Sequence, residues 1–221
     1  MKIIRPVALT TAMLTSTNVT EDDYQVWTIG HAFTAGDRCI VIGTTHEVFE
    51  ALVNVTGGSS PEIDVLATVP KWLFISADNR WKAFDQKVGT QTENATSITY
   101  KITAGVVFDS IAFINVDAAT IEVKLTDPME GVVYDEIIDL MTTVITGSSA
   151  AIDLYTYFFR SVFRLTDLLR LDIPPYLNAV LDITITNTGS TAKVGAIVFG
   201  LQSHLGATQY SPNIGIHDYS I

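Results

Sequence analysis

The sequence has 221 residues, enough for one large domain or for a small module followed by a medium-sized domain. Its net charge of −11 argues against nucleic acid and anionic membrane surfaces as partners, because the 13 Lys and Arg residues are scattered. Charged residues make up only 17% of the chain, so Thr, Ser and Asn must supply much of the polar surface. Burying such a surface against a neighbouring subunit desolvates few charges, which favours an assembly component that forms homo-oligomers.

The N-terminal sequence and the number of cysteines indicate the cellular compartment in which the protein is made. Arg5 and Pro6 interrupt the first apolar stretch, which argues against a signal peptide. Uncharged apolar stretches are shorter than the ~20 residues of a membrane helix, so we expect no membrane insertion. The lone Cys39 excludes an intrachain disulfide and a multi-cysteine metal site. We expect a soluble protein made in a reducing cytoplasm.

Residues 1–20 lack the hydrophobic pattern of a core and predict an extended N-terminal arm. The Thr-rich stretch from Thr10 to Asn18 can order against a neighbouring subunit, and a frayed terminus is the alternative. A compact, glycine-punctuated module is expected over residues 21–72. Its clearest strand signal is the apolar run Cys39–Ile42, with Cys39 as a buried strand residue.

Residues 73–209 predict a β-sandwich, because strand signals recur with turn residues between them. These strands are expected at Ser97–Thr103, Ser110–Asn115, Thr120–Thr126, Leu177–Thr186 and Val194–Gly200, with a turn at Asn187–Ser190. A helix over residues 130–143 is an alternative that Val and Thr weaken. Residues 210–221 are expected to run over the surface. The predicted fold is all-β: a small N-terminal β module followed by an antiparallel, jelly-roll-like β-sandwich.

No motif for catalysis appears in the sequence. The histidines His31, His46, His204 and His217 lack metal-ligand spacing, and there is no nucleophile elbow, phosphate loop or dinucleotide fingerprint. Acidic clusters that could hydrolyse a polysaccharide occur at Glu21–Asp23 and at Asp135, Glu136 and Asp139, but their small and aliphatic neighbours are typical of solvated edges. Calcium binding by Asp22-Asp23 or Asp127 lacks a loop signature. We therefore predict no enzyme activity, no catalytic residues, no metal and no cofactor.

An ordered series of residues marks the small module: Trp27, Phe33, Gly36-Asp37, Phe49 with Ala51, Thr56-Gly57, Pro61 and Trp72. The series resembles the chitinase-type carbohydrate-binding modules. Because aliphatic burial alone is marginal in so small a domain, Trp27, Phe33 and Phe49 are expected to form its core. Sugar-binding members carry exposed aromatics just after the aromatic-x-Ala element, which is Phe49 with Ala51 here. Here that place holds Leu52-Val53-Asn54-Val55, so the resemblance supports the scaffold more than a sugar site.

A second ordered series begins at Lys71 and, together with the series of the module, makes the similarity span nearly the whole chain from Glu21. It consists of Lys71–Asp85 with Asn79-Arg80-Trp81, then Thr90-Gln91-Thr92, Val194–Gly200, Leu205–Tyr210 and Ile214–Ser220. This series resembles bacteriophage tail proteins that join a carbohydrate-module-like segment to a β-sandwich. The resemblance implies a virion structural protein of the phage tail. Its implied partners are fibre, baseplate or adaptor subunits.

The junction between module and sandwich is predicted at Trp72, Asn79, Arg80, Trp81, Phe84 and Asp85. Asn79 can cap the turn, and the Arg80 guanidinium can stack on Trp81 or Trp72. Asp85 is the expected ion-pair partner of Arg80. An exposed Arg at a strand end is the alternative.

Two functions remain open at this stage. One is a structural subunit that acts through protein–protein assembly, and the other is a receptor-binding module that recognises host surface glycans. The densest aromatic group, Tyr155, Tyr157, Phe158 and Phe159, is the candidate for glycan or subunit contact. Packing inside the sandwich is the alternative for these four residues.

Overall fold

The structure, a computed structural model, describes residues 2–87, 89–143 and 162–206. Its regular structure is almost all β-strand, which confirms the predicted all-β class. Besides a one-turn helix, α1 (Pro61–Asp64), and a 3-10 helix (Lys82–Phe84), the elements are β1 Lys2–Pro6, β2 Leu14–Thr17, β3 Gln25–Val26, β4 Ala32–Phe33, β5 Arg38–Ile42, β6 His46–Ala51, β7 Val55–Thr56, β8 Trp72–Ala77, β9 Thr92–Thr103, β10 Ser110–Asp117, β11 Thr120–Asp127, β12 Gly131–Asp139, β13 Met141–Thr143, β14 Val162–Arg164, β15 Leu168–Arg170 and β16 Val180–His204.

The N-terminal module is a sheet in the order β3-β5-β6-β8, with β4 and β7 pairing separately. Its core contains Phe33, Phe49 and Trp72, and the half-buried Trp27 packs against them. Cys39 is fully buried in the same core, and this burial raises the pKa of its thiol to about 12. Because β8 pairs with β6 along its length, the module's sheet extends beyond the predicted boundary at Trp72.

The sandwich is built around two long strands, β9 and β16. Residues 180–186 of β16 lie between β9 and β11, whereas residues 193–200 pair with β10. The predicted turn at Asn187–Ser190 is instead a bulge within β16. There the buried Asn187 amide donates to Thr191 O (3.0 Å) and to Asp117 O (3.4 Å), so the strand passes between layers without reversing.

The alternation of buried and exposed side chains along the strands explains how the sandwich core forms. In the central strands every second side chain is buried and the intervening ones are half-exposed or exposed, as the period of a strand requires. The inward-facing residues include Ile98, Tyr100 and Ile102 of β9, Ile121, Val123 and Leu125 of β11, and Leu181, Ile183 and Ile185 of β16. They join Ile111, Phe113 and Phe199 of the other layer in one cluster.

The N-terminal segment belongs to this sandwich, so the prediction of an arm that orders on a neighbouring subunit is wrong. Strand β1 pairs with the end of β16, and β2 pairs with β9. Leu9 and Val19 are buried in the sandwich core. Two apolar residues spaced so far apart give no visible hydrophobic pattern in the sequence. Polar side chains make much of the remaining contact; for example, Asn18 Oδ1 accepts a hydrogen bond from Thr99 N (2.8 Å).

Residues 130–143 form strands rather than the alternative helix. Strand β12 pairs with β11 along its length, as expected for a segment rich in Val and Ile. Its Glu136 accepts two hydrogen bonds from the Arg170 guanidinium (2.7 and 2.8 Å). Because Arg170 lies on β15, this ion pair joins the two end strands of the path β12-β11-β16-β10-β15. The predicted surface segment 210–221 lies outside the described residues.

Candidate functional site

The module meets the sandwich at the segment 78–87, which follows β8 and precedes β9. Asn79 fixes this segment to β9, because its side-chain amide donates to Glu93 O (2.9 Å) and its Oδ1 accepts from Glu93 N (3.0 Å). Its main-chain oxygen accepts from the Thr92 hydroxyl (2.7 Å), and its N–H donates to the Asp23 carboxylate (3.2 Å). One residue therefore connects the junction segment to β9 and to the N-terminal region.

Arg80 reaches from the same segment to the N-terminal region. Its Nε donates to Val19 O (3.0 Å) and its Nη1 to Glu21 Oε2 (3.2 Å). Its main-chain oxygen accepts from the hydroxyl of Tyr100, a sandwich core residue (2.8 Å). Arg80 therefore ties the N-terminal region to the sandwich with both its side chain and its backbone.

The expected ion pair between Arg80 and Asp85 is wrong. The Asp85 carboxylate instead accepts from Lys87 N (2.7 Å) and from the Thr90 hydroxyl (3.0 Å), in the turn after the 3-10 helix. The predicted stacking is absent too: the described residues show cation–aromatic contacts for Arg38 and Lys87, not for Arg80. Glu21, which is 59 residues away in sequence, satisfies Arg80 instead.

Glu21 also contacts the module. One of its carboxylate oxygens lies against Nδ1 of His46, the first residue of β6, and the other accepts from Arg80. The His46 ring is buried, and its centre lies 5.1 Å from the Trp81 ring. A carboxylate held between an imidazole and a guanidinium links module, N-terminal region and sandwich in one polar cluster.

Asp78 adds a buried carboxyl to this cluster. Burial is the main cause that raises its pKa to about 6, and the charges of Asp23 and Glu21 add to the effect. One oxygen accepts from Arg80 N (3.2 Å), whereas Oδ1 has no hydrogen-bond partner in the described part of the chain. The ionised form of Asp78 is therefore poorly compensated.

Of the three aromatic residues predicted at the junction, one lies in the module core instead. Trp72 lies in the module core and makes an edge-to-face contact with Phe33 (5.2 Å) rather than reaching the junction. Trp81 is buried in the sandwich core, and Phe84 packs edge-to-face on Tyr100 (4.9 Å). The junction thus uses two of the three predicted aromatics.

A cleft of about 250 Å³ opens beside the junction, and we call it the junction cleft. Its module side consists of Thr45, Glu47, Phe74 and Ala77, and its other side of Trp81, Phe84, Asp85 and Lys87. The half-buried rings of Phe74 and Phe84 give it an apolar lining. Clefts between two packed units are common ligand sites.

Three polar groups in the cleft make no side-chain hydrogen bond within the described residues: the Thr45 hydroxyl, the Glu47 carboxylate and the Lys87 ammonium. The ammonium lies 4.6 Å from the Phe74 ring centre. Burial raises the pKa of Glu47, repulsion by Glu62 raises it further, and Lys87 partly offsets this. These groups remain available to a ligand that offers both donors and acceptors.

Trp81, Phe84 and Asp85 of the cleft were predicted as junction residues, whereas the cleft's module side and the partners of Arg80 were not predicted. Glu21 appeared only as part of an acidic cluster, and Glu47, Phe74 and Lys87 carried no motif. The residues of the cleft come from strands β6 and β8, from the turn before β6 and from the segment 81–87, so only the tertiary fold brings them together. No local signal could have identified them.

The module also exposes several aliphatic side chains, which we call the aliphatic surface. They lie within 22 residues of the chain: Leu52, Val53, Ile63, Leu66, Val69 and Leu73. The most exposed are Leu66 (85%) and Val69 (79%). Leu52 follows the same sheet edge as Leu73, because Leu52 N donates to Lys71 O (2.7 Å) and Glu50 pairs with Leu73.

Other candidate sites are less defined. Tyr155, Tyr157, Phe158 and Phe159 lie outside the described residues. Within the described ranges, no group of three or more His, Cys, Asp or Glu residues is arranged to hold a metal ion. None of the helices there is long and apolar enough to cross a membrane.

Comparison with known proteins gives only distant similarities. No family model and no curated protein matches the chain. Similar solved structures include chitosan-binding module 1 from a chitosanase/glucanase of Paenibacillus sp. IK-5 (12% identity, 54% of this chain, 83% of that chain, TM-score 0.27) and a selenomethionine-labelled mutant of it (9%, 54%, 82%, 0.32). A mutant lectin binding domain of lectinolysin in complex with Lewis b is a third (11%, 56%, 82%, 0.34). At these scores the similarity establishes neither a shared fold nor a shared ligand.

Proposed function

We propose that this protein is a non-catalytic structural subunit of a bacteriophage tail, which binds other tail proteins through the aliphatic surface of its N-terminal module. The observation that carries this proposal is the exposure of six aliphatic side chains between Leu52 and Leu73. The phage assignment comes from the ordered sequence resemblance that begins at Glu21.

The composition of the aliphatic surface supports protein binding. Exposed apolar side chains concentrated on one module are typical of a surface that a partner covers. Few charges accompany them, and Asp64 is already engaged with the main-chain N–H groups of Lys71 (2.6 Å) and Trp72 (3.2 Å). Covering such a surface removes apolar area from water and desolvates few charged groups.

The test is incorporation into virions. In the phage that encodes the protein, we would replace Leu66 and Val69 together with Ser and measure the protein in purified particles by peptide mass spectrometry. Both side chains are largely exposed, so the fold should be unaffected. We expect incorporation to fall about tenfold, because a loss of about 1.4 kcal/mol in binding has that effect.

The matched control is Met129→Ser, which removes a 94% exposed apolar side chain from the sandwich. It should be incorporated like the wild type. If the wild-type protein is missing from virions, the tail assignment is wrong. If the double variant is incorporated normally, the tail assignment can stand but the aliphatic surface is not the contact.

A second proposed function is glycan recognition, and the junction cleft favours it. The Phe84 ring, beside hydrogen-bonding groups that make no side-chain hydrogen bond within the described residues, suits a ligand with an apolar face and many hydroxyls. The exposed face of the module suits sugars less well, because the place where sugar-binding modules carry exposed aromatics holds Leu52-Val53-Asn54-Val55. Binding of the intact protein to a glycan array tests this function, and Tyr155→Ala and Tyr157→Ala test the sequence-based candidates.

A further inference from the structure

The polar groups of the junction cleft define what kind of ligand it can hold. Glu47 offers a carboxylate acceptor, Lys87 offers ammonium donors, and the Thr45 hydroxyl can do both. The Lys87 ammonium is held near the Phe74 ring, at 4.6 Å from its centre, and it forms no ion pair within the described residues. A ligand that satisfies all three groups must offer both donors and acceptors, and hydroxyls supply both.

We propose that the junction cleft binds a single neutral pyranose ring, with its C–H groups against Phe84 and its hydroxyls bonded to Glu47, Lys87 and Thr45. This inference rests on glycan recognition, the second function proposed above. It assigns that function to the junction and not to the exposed face of the module.

The size of the cleft limits the ligand. Its volume of about 250 Å³ is below the range of pockets that enclose drug-sized molecules, roughly 300–1,000 Å³. A single sugar ring is the unit that fits this space. Further units of a glycan would extend into solvent, so the cleft would recognise one ring of a longer chain.

The charges around the cleft select against anionic sugars. Glu47 and Asp85 line it, Glu62 lies close enough to raise the pKa of Glu47, and Lys87 is the cation that opposes them. A ligand carboxylate would meet an excess of negative charge. The hydroxyls of a neutral ring can donate to Glu47 and accept from Lys87 without this repulsion.

Nuclear magnetic resonance titration of the full chain tests the proposal. The probes are the neutral sugars glucose, galactose, mannose and N-acetylglucosamine, with glucuronic and galacturonic acids as anionic counterparts. We expect at least one neutral sugar to bind with a Kd on the order of 1–10 mM, as suits a ligand of so few atoms. The shifted amides should be those of residues 45–47, 74–77 and 81–87, and the uronic acid of the same ring should bind more weakly.

Glu47→Gln provides the decisive variant, and Glu122→Gln is its control because it neutralises a half-buried glutamate on β11, outside the cleft. Glu47→Gln should weaken binding of the neutral sugar by about fivefold in Kd, because a charge-assisted hydrogen bond becomes a neutral one. It should also reduce the difference in Kd between the neutral sugar and its uronic acid. Glu122→Gln should change neither.

The remaining outcomes separate the two proposals. Glycan binding that shifts amides elsewhere, or that is equal in Glu47→Gln and the wild type, would overturn the cleft assignment and leave glycan recognition intact. Absence of binding both to the sugars and to a glycan array would overturn both. Stronger binding of the uronic acid would overturn the charge argument and with it the proposed ligand.

Discussion

Asp78 is the residue whose environment departs most from what its chemistry favours. It is fully buried, one of its oxygens lacks a partner in the described part of the chain, and two other carboxylates are near. The ordinary pKa of an aspartate, 3.8, applies to Asp78 in the unfolded chain, whereas burial in the folded protein raises this pKa to about 6. Between these pH values the folded state binds more protons than the unfolded state does. The free energy of unfolding therefore rises as the pH falls, because the cost of burying the ionised Asp78 carboxylate is removed.

Asp78→Asn should therefore stabilise the protein at pH 7.5 and lose this advantage at pH 4. Asparagine keeps an oxygen for the Arg80 N–H and carries no charge to desolvate. We expect the melting temperature to rise by roughly 2–6 °C at pH 7.5, where about 1 kcal/mol corresponds to 2–4 °C for a chain of this length. Scanning fluorimetry of both proteins across pH 4–8 measures the difference, and an equal shift throughout this range would contradict the assignment.

Among the secondary-structure elements, β1 pairs with a single neighbour. It pairs with β16 at the edge of the sandwich, and its carbonyl at Arg5 passes directly over Gly200. A Cβ on residue 200 would lie 1.9 Å from the Arg5 oxygen, which no side-chain adjustment can relieve because the obstacle is backbone. Glycine at this position is what allows the two strands to pair.

Gly200→Ala should therefore displace β1 and leave the central strands in place. We expect faster amide hydrogen exchange over residues 3–5 and a loss of roughly 1–3 kcal/mol in the free energy of unfolding, as for other overpacked sites. Gly89→Ala is the control, since its Cβ would meet no atom within 4 Å. Unchanged exchange at β1 in Gly200→Ala would show that this pairing does not persist in solution.

For single residues and for secondary-structure elements, the sequence predicted some features and not others. The alternating apolar residues of Ile98–Ile102 and Ile121–Leu125 determine their strands locally, so the sandwich was predictable. Strand β1 and the Glu21–Arg80 contact depend on residues 194 or more and 59 positions away in the chain, which no window of sequence contains. The junction cleft was missed for the same reason, because its lining comes from separate segments.

For the fold as a whole, we expect the polar cluster at the junction to couple the unfolding of module and sandwich. The module's core is small, so much of its stability must come from its attachment to the sandwich. Arg80→Ala removes the donors to Val19 O and Glu21. Leaving a partly buried carboxylate and a carbonyl without these donors should cost roughly 1–3 kcal/mol.

We expect Arg80→Ala to increase hydrogen exchange in β5 and β6 of the module more than in β9–β11 of the sandwich. Exchange followed by mass spectrometry distinguishes these segments. Arg38→Ala is the matched control, because it removes an exposed arginine that pairs with Glu50 (2.8 Å) within the module. An equal rise in exchange in both parts would mean that the junction does not couple them.

The antiparallel pairing of β1 with the end of β16 also determines how that edge responds to mechanical load. Lys2 lies opposite His204, so the first residue of one strand and the last of the other are adjacent. A force pulling these two ends apart would act on one hydrogen bond at a time, peeling the strand away at low tension. The inner stretch of β16 is flanked on both sides, by β9 and β11, and would resist the same pull far longer.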